Sequence, residues 1–156
     1  MLTRFCDRVA RIAEVATGAL FFGLIVTVAA QVLTRNVLRL PMLWTGDVAQ
    51  LLFAWLVFVG AALGLRRGAH YAIDLLPRQG AGLRAAVDWL GIGAGGVVVY
   101  ILVRHGWTLA ALRAPGEIQS LGISRLWLYA PIPLCGAMMA LFLLEAAVAR
   151  FGSGQR

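Results

Sequence analysis

Lysine is absent from this 156-residue chain, histidine and cysteine occur twice each, and acidic residues number seven. Each scarcity excludes something. Two cysteines cannot build a disulfide framework. Cys6 lies on an N-terminal arm and Cys135 inside an apolar run, so neither a disulfide nor a redox pair is expected of them. His70 and His105 fall toward opposite ends of the apolar runs and cannot share a haem or a metal, so no cofactor is expected. Charged residues make up 13% of the chain, where a soluble domain has about 25%. Apolar residues make up 61%, and mean hydropathy is +0.83. About 30% of a chain this size stays exposed after folding, too much for a soluble core to hide such a composition. Disordered chains are poor in apolar residues, and the 18 glycines follow no collagen-like period. A single-domain, all-α integral membrane protein over residues 1–156 remains.

What is abundant is arginine. All fourteen basic residues are Arg, giving a net charge of +7 and an isoelectric point near 11.0. They stand singly or as the pair Arg66–Arg67 and bracket apolar runs, without a solvated basic face or an aromatic stacking pattern, so nucleic acid is not an expected partner.

The charge-free runs are Val15–Thr34, Val48–Leu65, Trp89–Val103 and Leu126–Leu144. A spanning helix needs about 20 mostly apolar residues. Apolar flanks extend the third run, giving spans of about 14–35, 46–66, 84–112 and 126–149. Barrel-like alternation is missing, so these are helices. Val28-Ala29-Ala30 would suit a signal peptidase but sits deep in its run, so a retained first span is expected. Residues 2–13 place Leu2, Phe5, Val9, Ile12 and Ala13 on one helical face and Arg4, Asp7, Arg8 and Arg11 on the other. This is either an amphipathic segment along the lipid headgroups, with Asp7 and Arg11 paired at i, i+4, or an extension of the first span. Nine arginines fall on the side of the termini and second loop and five on the side of the first and third loops. Both termini are therefore expected in the cytoplasm, with Trp44, Trp107 and Trp127 in the outer interfacial belt.

No acid lies near a span's midpoint, where a charge would signal an ion path. Asp47 opens span two, where it suits the helix dipole; Asp88 opens span three, and Glu145 closes span four. No span is broken by proline in its middle, and no inverted repeat is visible, so a central substrate site is not expected in this chain. Polar stripes for a pore are also missing. Gly91 and Gly95 form a small-xxx-small pair for close helix packing, either internal or with a partner. Arg35 and Asp47 either pair across the first hairpin or present a docking surface.

The stretch Arg35-Asn-Val-Leu-Arg…Pro41…Trp44-Thr-Gly-Asp47, followed by Leu51-Leu-Phe-Ala-Trp-Leu-Val-Phe-Val-Gly60, Arg66-Arg67-Gly-Ala-His70, Asp74, Gln119-Ser, Trp127 and Pro131-Ile-Pro133, resembles the small membrane (Q) subunit of tripartite ATP-independent periplasmic (TRAP) transporters. One position departs, with Gly46 where the family usually carries the first of two acids. The resemblance implies a non-catalytic subunit of an ion-gradient-driven importer of organic acids in the bacterial inner membrane. Its implied partners are a large membrane subunit, the lipid bilayer and a periplasmic substrate-binding protein, the last touched by outer loops that carry Arg35, Arg39 and Arg113. It carries Arg35, Trp44, Asp47, His70, Asp74, Gln119 and Trp127 over as residues holding the fold or the partner surface. Two alternatives are the small subunit of a tripartite tricarboxylate transporter and a small four-helix membrane enzyme or redox anchor.

Overall fold

The computed structural model describes residues 2–39, 42, 44–71 and 81–153. Hydrocarbon supplies no partners for free N–H and C=O groups, so each apolar run closes its backbone bonds within a helix. The chain runs α1 (Leu2–Asn36), α2 (Trp44–Tyr71) and α3 (Ala81–Arg113), then β1 (Glu117–Ile118) and β2 (Ile123–Ser124), then α4 (Leu126–Tyr129) and α5 (Pro131–Ser153). Among the described residues, four helical segments are long and apolar enough to cross a membrane: Thr3–Asn36, Trp44–Gly68, Trp89–Arg113 and Leu126–Val148. The four expected spans are thus all present.

The 35 residues of α1 extend about 52 Å at 1.5 Å per residue, well beyond the roughly 30 Å hydrocarbon core. Residues 2–13 are its first turns, so of the two readings of that segment the extension holds. The hydroxyls of Thr17, Thr27 and Thr34 donate to the carbonyls of Ala13, Gly23 and Ala30 at 2.7–2.8 Å. They therefore ask nothing of the lipid. Arg39, with φ +53°, turns the chain away beyond the end of α1.

The fourth span is made of two helices. Pro131 and Pro133 have no N–H to give, which interrupts the ladder near its start. Ala130 stays right-handed helical and donates to Leu126 O at 2.7 Å, and Leu134 N donates to Ala130 O at 3.3 Å. The backbone therefore continues through the junction. Before it, β1 and β2 form a short antiparallel hairpin with Glu117 opposite Ser124 and Ile118 opposite Ile123. Gly122 takes φ +62° in its turn, a conformation that glycine adopts without a Cβ penalty.

The helices stand in a row. α1 packs on α2, α2 on α5 and α5 on α3, while α1 meets α5 only lightly. α5 is the centre of the row: 33% of the apolar window of its span is buried, against 6% for α1. The core joins Cys6, Ala10 and Ala13 of α1 with Val59, Ala62 and Leu63 of α2 and Cys135, Met139 and Phe142 of α5. On α1 and α5 these positions recur at i, i+4, i+7, one face of a helix. Cys6 and Cys135, far apart in sequence, enter the same cluster as free thiols.

α3 is joined to α5 through glycine. A Cβ on Gly95 would lie 3.0 Å from Leu143 Cδ2, one on Gly106 would lie 2.6 Å from Ile132 Cγ2, and one on Gly136 would lie 3.0 Å from both Leu102 Cβ and Val103 Cγ2. Gly91 meets nothing within 4 Å. The expected Gly91–Gly95 pair therefore splits. Gly95 belongs to an internal seam with Gly106 and Gly136, and Gly91 faces outward.

Gly136→Val should destabilise the chain by about 1–3 kcal/mol through overpacking of this seam. Gly91→Val should change stability by no more than about 0.5 kcal/mol. Unfolding in mixed detergent micelles, followed by tryptophan fluorescence, measures both.

Candidate functional site

Two polar constellations stand out, one at each end of the row. At the end that the arginine count leads one to expect outside, termed the outer end with the opposite one termed inner, the first turn of α2 meets the β-hairpin and α4. Asp47, which suits the positive end of α2, accepts a hydrogen bond from the Ser120 hydroxyl. Asp47, Gln50, Gln119, Arg125 and Tyr129 line a cavity of about 440 Å³ beside it. The hairpin is held in place by its own chain. Ser124 Oγ donates to Ala114 O at 2.6 Å and accepts from Leu126 N at 3.1 Å, and Arg125 N donates to Gly116 O at 2.7 Å. Thr45 is fully buried and donates to Met42 O at 2.8 Å. Trp55 Nε1 donates to Trp127 O at 3.0 Å, tying α2 to α4. The surface so built is polar and half-open, with both charges and amides, which suits recognition of a protein loop or a small polar ligand.

The sequence-derived site residues distribute unevenly over this frame. Trp44, Asp47, Gln119 and Trp127 gather at the outer end, and the rings of Trp44 and Trp127 are exposed there. Arg35 lies in the last turn of α1. Its expected pairing with Asp47 is not formed: the Asp47 carboxylate is engaged by Ser120, and among the described residues no ion pair joins the two. The hairpin that captures Asp47 is distant in sequence, which local spacing could not reveal. His70 sits in the last turn of α2, at the opposite end. Asp74 lies outside the described residues.

At the inner end, Arg66 of α2 binds two acids from two other helices. Its Nε donates to Glu145 Oε2 at 3.1 Å and its Nη2 to Glu145 Oε1 at 3.2 Å, the forked geometry that guanidinium and carboxylate share. Nη2 also reaches Asp7 Oδ1 at 2.6 Å. The guanidinium carbon lies 5.2 Å from the centroid of the Phe142 ring, within cation–π range. The Arg66 and Glu145 side chains are only 17% and 10% exposed, so this is a buried pair. A second pair, Arg67 Nη2 to Glu14 Oε1 at 2.8 Å, is open to solvent. Glu145 lies near the end of the fourth span, and there it is buried and paired across helices. Asp7 likewise bonds across helices to Arg66 and not along α1 to Arg11. The signal was present: four spans put residues 7, 66 and 145 at one end, two of them acids and one an arginine.

A profile of the family described as "Tripartite ATP-independent periplasmic transporters, DctQ component" matches residues 24–152. The chain belongs to this family. It is 30% identical over 139 residues to the sialic acid TRAP transporter small permease protein SiaQ of Vibrio cholerae, covering 86% of this chain and 78% of that one. It is also 30% identical over 122 residues to the C4-dicarboxylate TRAP transporter small permease protein DctQ of Rhodobacter capsulatus, covering 76% and 54%. Against the sialic acid TRAP transporter permease protein SiaT of Haemophilus influenzae, identity is 26% over 143 residues, which is 88% of this chain but only 23% of that protein. The relatives are named as permease proteins, and membership of this family sets aside the tricarboxylate and redox-anchor alternatives. The family match starts inside α1, so Asp7 and Glu14 precede it.

Arg66→Gln should cost about 3–5 kcal/mol, because it leaves the Glu145 carboxylate buried and unpaired. Arg67→Gln should cost less than about 1 kcal/mol, as exposed pairs do. A double Arg66→Met, Glu145→Met chain should recover most of the first loss. Unfolding curves in mixed micelles compare the three.

Proposed function

We propose that this chain is the non-catalytic small membrane subunit of a TRAP-type, ion-gradient-driven importer of organic acids. It packs against a large transport subunit in the bacterial inner membrane and holds that subunit's static part in the bilayer. The observation that carries this reading is the likeness to less than a quarter of the single-chain SiaT permease. A segment like this one is there covalently part of a much longer permease, so the natural complement of the separate chain is another membrane protein. The open row of helices supports the same reading, because it leaves the first span almost unburied and able to face a neighbour. Substrate and coupling ion would be handled by the large subunit. The one buried acid among the described residues, Glu145, is neutralised by Arg66 at the end of the row and not free near the middle.

The arginine asymmetry puts the Arg66 end, with both termini, in the cytoplasm. The contacts of Asp7 and Glu145 with one arginine agree that the two ends of the chain share a side. The outer corner of Trp44, Asp47, Gln119 and Trp127 is then periplasmic and forms the fold-holding edge of a partner surface. Arg35, Arg39 and Arg113 surround it as points of contact for a soluble substrate-binding protein. In this topology His70 and Asp74, carried over by resemblance, fall on the cytoplasmic side. The names of the relatives suggest sialic acid or a C4-dicarboxylate as the cargo class.

Vesicles reconstituted with the large subunit and the binding protein, but without this chain, should show no uptake above background while the binding protein still captures its ligand. Undiminished uptake would refute the role. Reversing Arg35, Arg39 and Arg113 to Glu should raise the binding-protein concentration for half-maximal uptake by roughly tenfold or more at low salt, as loss of charge steering does. Assembly with the large subunit should be unchanged, which co-purification checks.

A further inference from the structure

The inner ion pairs leave one set of charges unanswered. Asp7 stands at i, i+4 to Arg11 and at i, i+3 to Arg4, and Glu14 stands at i, i+3 to Arg11, the spacings at which helical charges neutralise one another. In the fold both acids face α2 instead, Asp7 held by Arg66 and Glu14 by Arg67. Arg4, Arg8 and Arg11 are exposed, and among the described residues none of them has an ion-pair partner. Their i, i+4, i+7 spacing aligns them as a ridge along one face of α1. The same face continues into the span through Val15 and Phe22, which are 71% and 70% exposed.

This arrangement places guanidinium groups in line with an exposed apolar strip, of the kind that lipid chains can cover. Arg11 stands about 4–5 Å and Arg8 about 9 Å beyond Glu14, the charge that bounds the apolar run of α1, at 1.5 Å per residue. The headgroup layer on each side is about 5–7 Å thick, so Arg8 and Arg11 reach its phosphates directly or by bending back toward them, as long cationic side chains do. Guanidinium groups bind phosphate by paired hydrogen bonds.

We propose that Arg4, Arg8 and Arg11 form a binding ridge for anionic phospholipid, with the headgroup phosphate on the arginines and an acyl chain along Val15 and Phe22. The site deepens the membrane-subunit reading but does not depend on which large subunit is present. The ridge is built by the inner ion pairs, since they remove the acids that would otherwise occupy the arginines. Anionic lipid thereby fixes the depth and rotation of α1, the least buried helix of the row.

The test uses the full chain, purified in mild detergent and mixed with equal amounts of phosphatidylglycerol and phosphatidylcholine. Native mass spectrometry counts the lipids that remain bound. The wild-type chain should retain phosphatidylglycerol over phosphatidylcholine by about fivefold or more, given roughly 1 kcal/mol per cation at an anionic surface. Arg4→Gln, Arg8→Gln and Arg11→Gln together should abolish that preference. Arg35→Gln with Arg39→Gln, at the other end of α1, should leave it intact. Equal retention of the two lipids by the wild-type chain would overturn the proposal without any variant having to fold. So would an undiminished preference in the triple variant, or a triple variant that keeps its lipid and loses only a co-purifying membrane protein. None of these outcomes bears on whether uptake requires the chain.

Discussion

Water drives soluble helices together, but hydrocarbon does not, because a lipid tail is as apolar as a leucine. Helices in a bilayer associate only where they pack more closely than lipid would, or where polar groups meet across them. Both devices appear here, and they divide the molecule. Gly95, Gly106 and Gly136 bring α3 onto α5 with almost no space between them. Arg66 brings α1 and α5 to α2 by charge, above small core residues such as Ala10, Ala13 and Ala62 that let the backbones approach. A guanidinium and two carboxylates at the end of the row, partly out of the hydrocarbon, avoid the larger cost of charges at mid-bilayer. They still gain from a setting less polar than bulk water.

The outer end is organised differently. There the loop between α3 and α4 folds back as a small hairpin and brings Ser120 to Asp47, while Trp55 reaches the backbone of Trp127. These bonds connect α2 to a segment more than seventy residues later. The result is a rigid polar rim around a cavity, on the surface that faces away from the arginine-rich side. A rim of this kind would offer a partner a fixed shape and not a set of independent loops.

Much of this could be read from the residues. Runs without charge located all four spans, because a charge in hydrocarbon is costly, and a buried helix shows itself by that absence alone. Of the seven residues that the family resemblance carried over, Trp44, Asp47, Gln119 and Trp127 lie at one end of the row, His70 lies at the other, and Asp74 lies outside the described residues. What the residues did not disclose were pairings between distant segments. Local spacing suggested Asp7 with Arg11 and Arg35 with Asp47, yet each acid found a partner on another element. A guanidinium that can fork onto a buried carboxylate, or a hairpin hydroxyl held beside a helix start, outweighs an exposed i, i+4 pair of a few tenths of a kcal/mol. The glycines illustrate the same limit. Gly91 and Gly95 look equivalent in sequence, and only the position of Leu143 separates them.

The order of helices in the row has a consequence for biogenesis. α5, which touches every other spanning helix, is the last to leave the ribosome. A nascent chain with three spans inserted has α1 and α2 as a hairpin and α3 beside them without its main neighbour. Arg66 still lacks the forked carboxylate, and the glycine faces of α3 are bare to lipid. The native arrangement is therefore settled only once α5 arrives, in a docking event that places it between α2 and α3. A chain truncated before residue 131 would hold α3 to the first hairpin only at one end, through Ser120 on Asp47 and Trp55 on Trp127, with the rest of the two parts facing lipid.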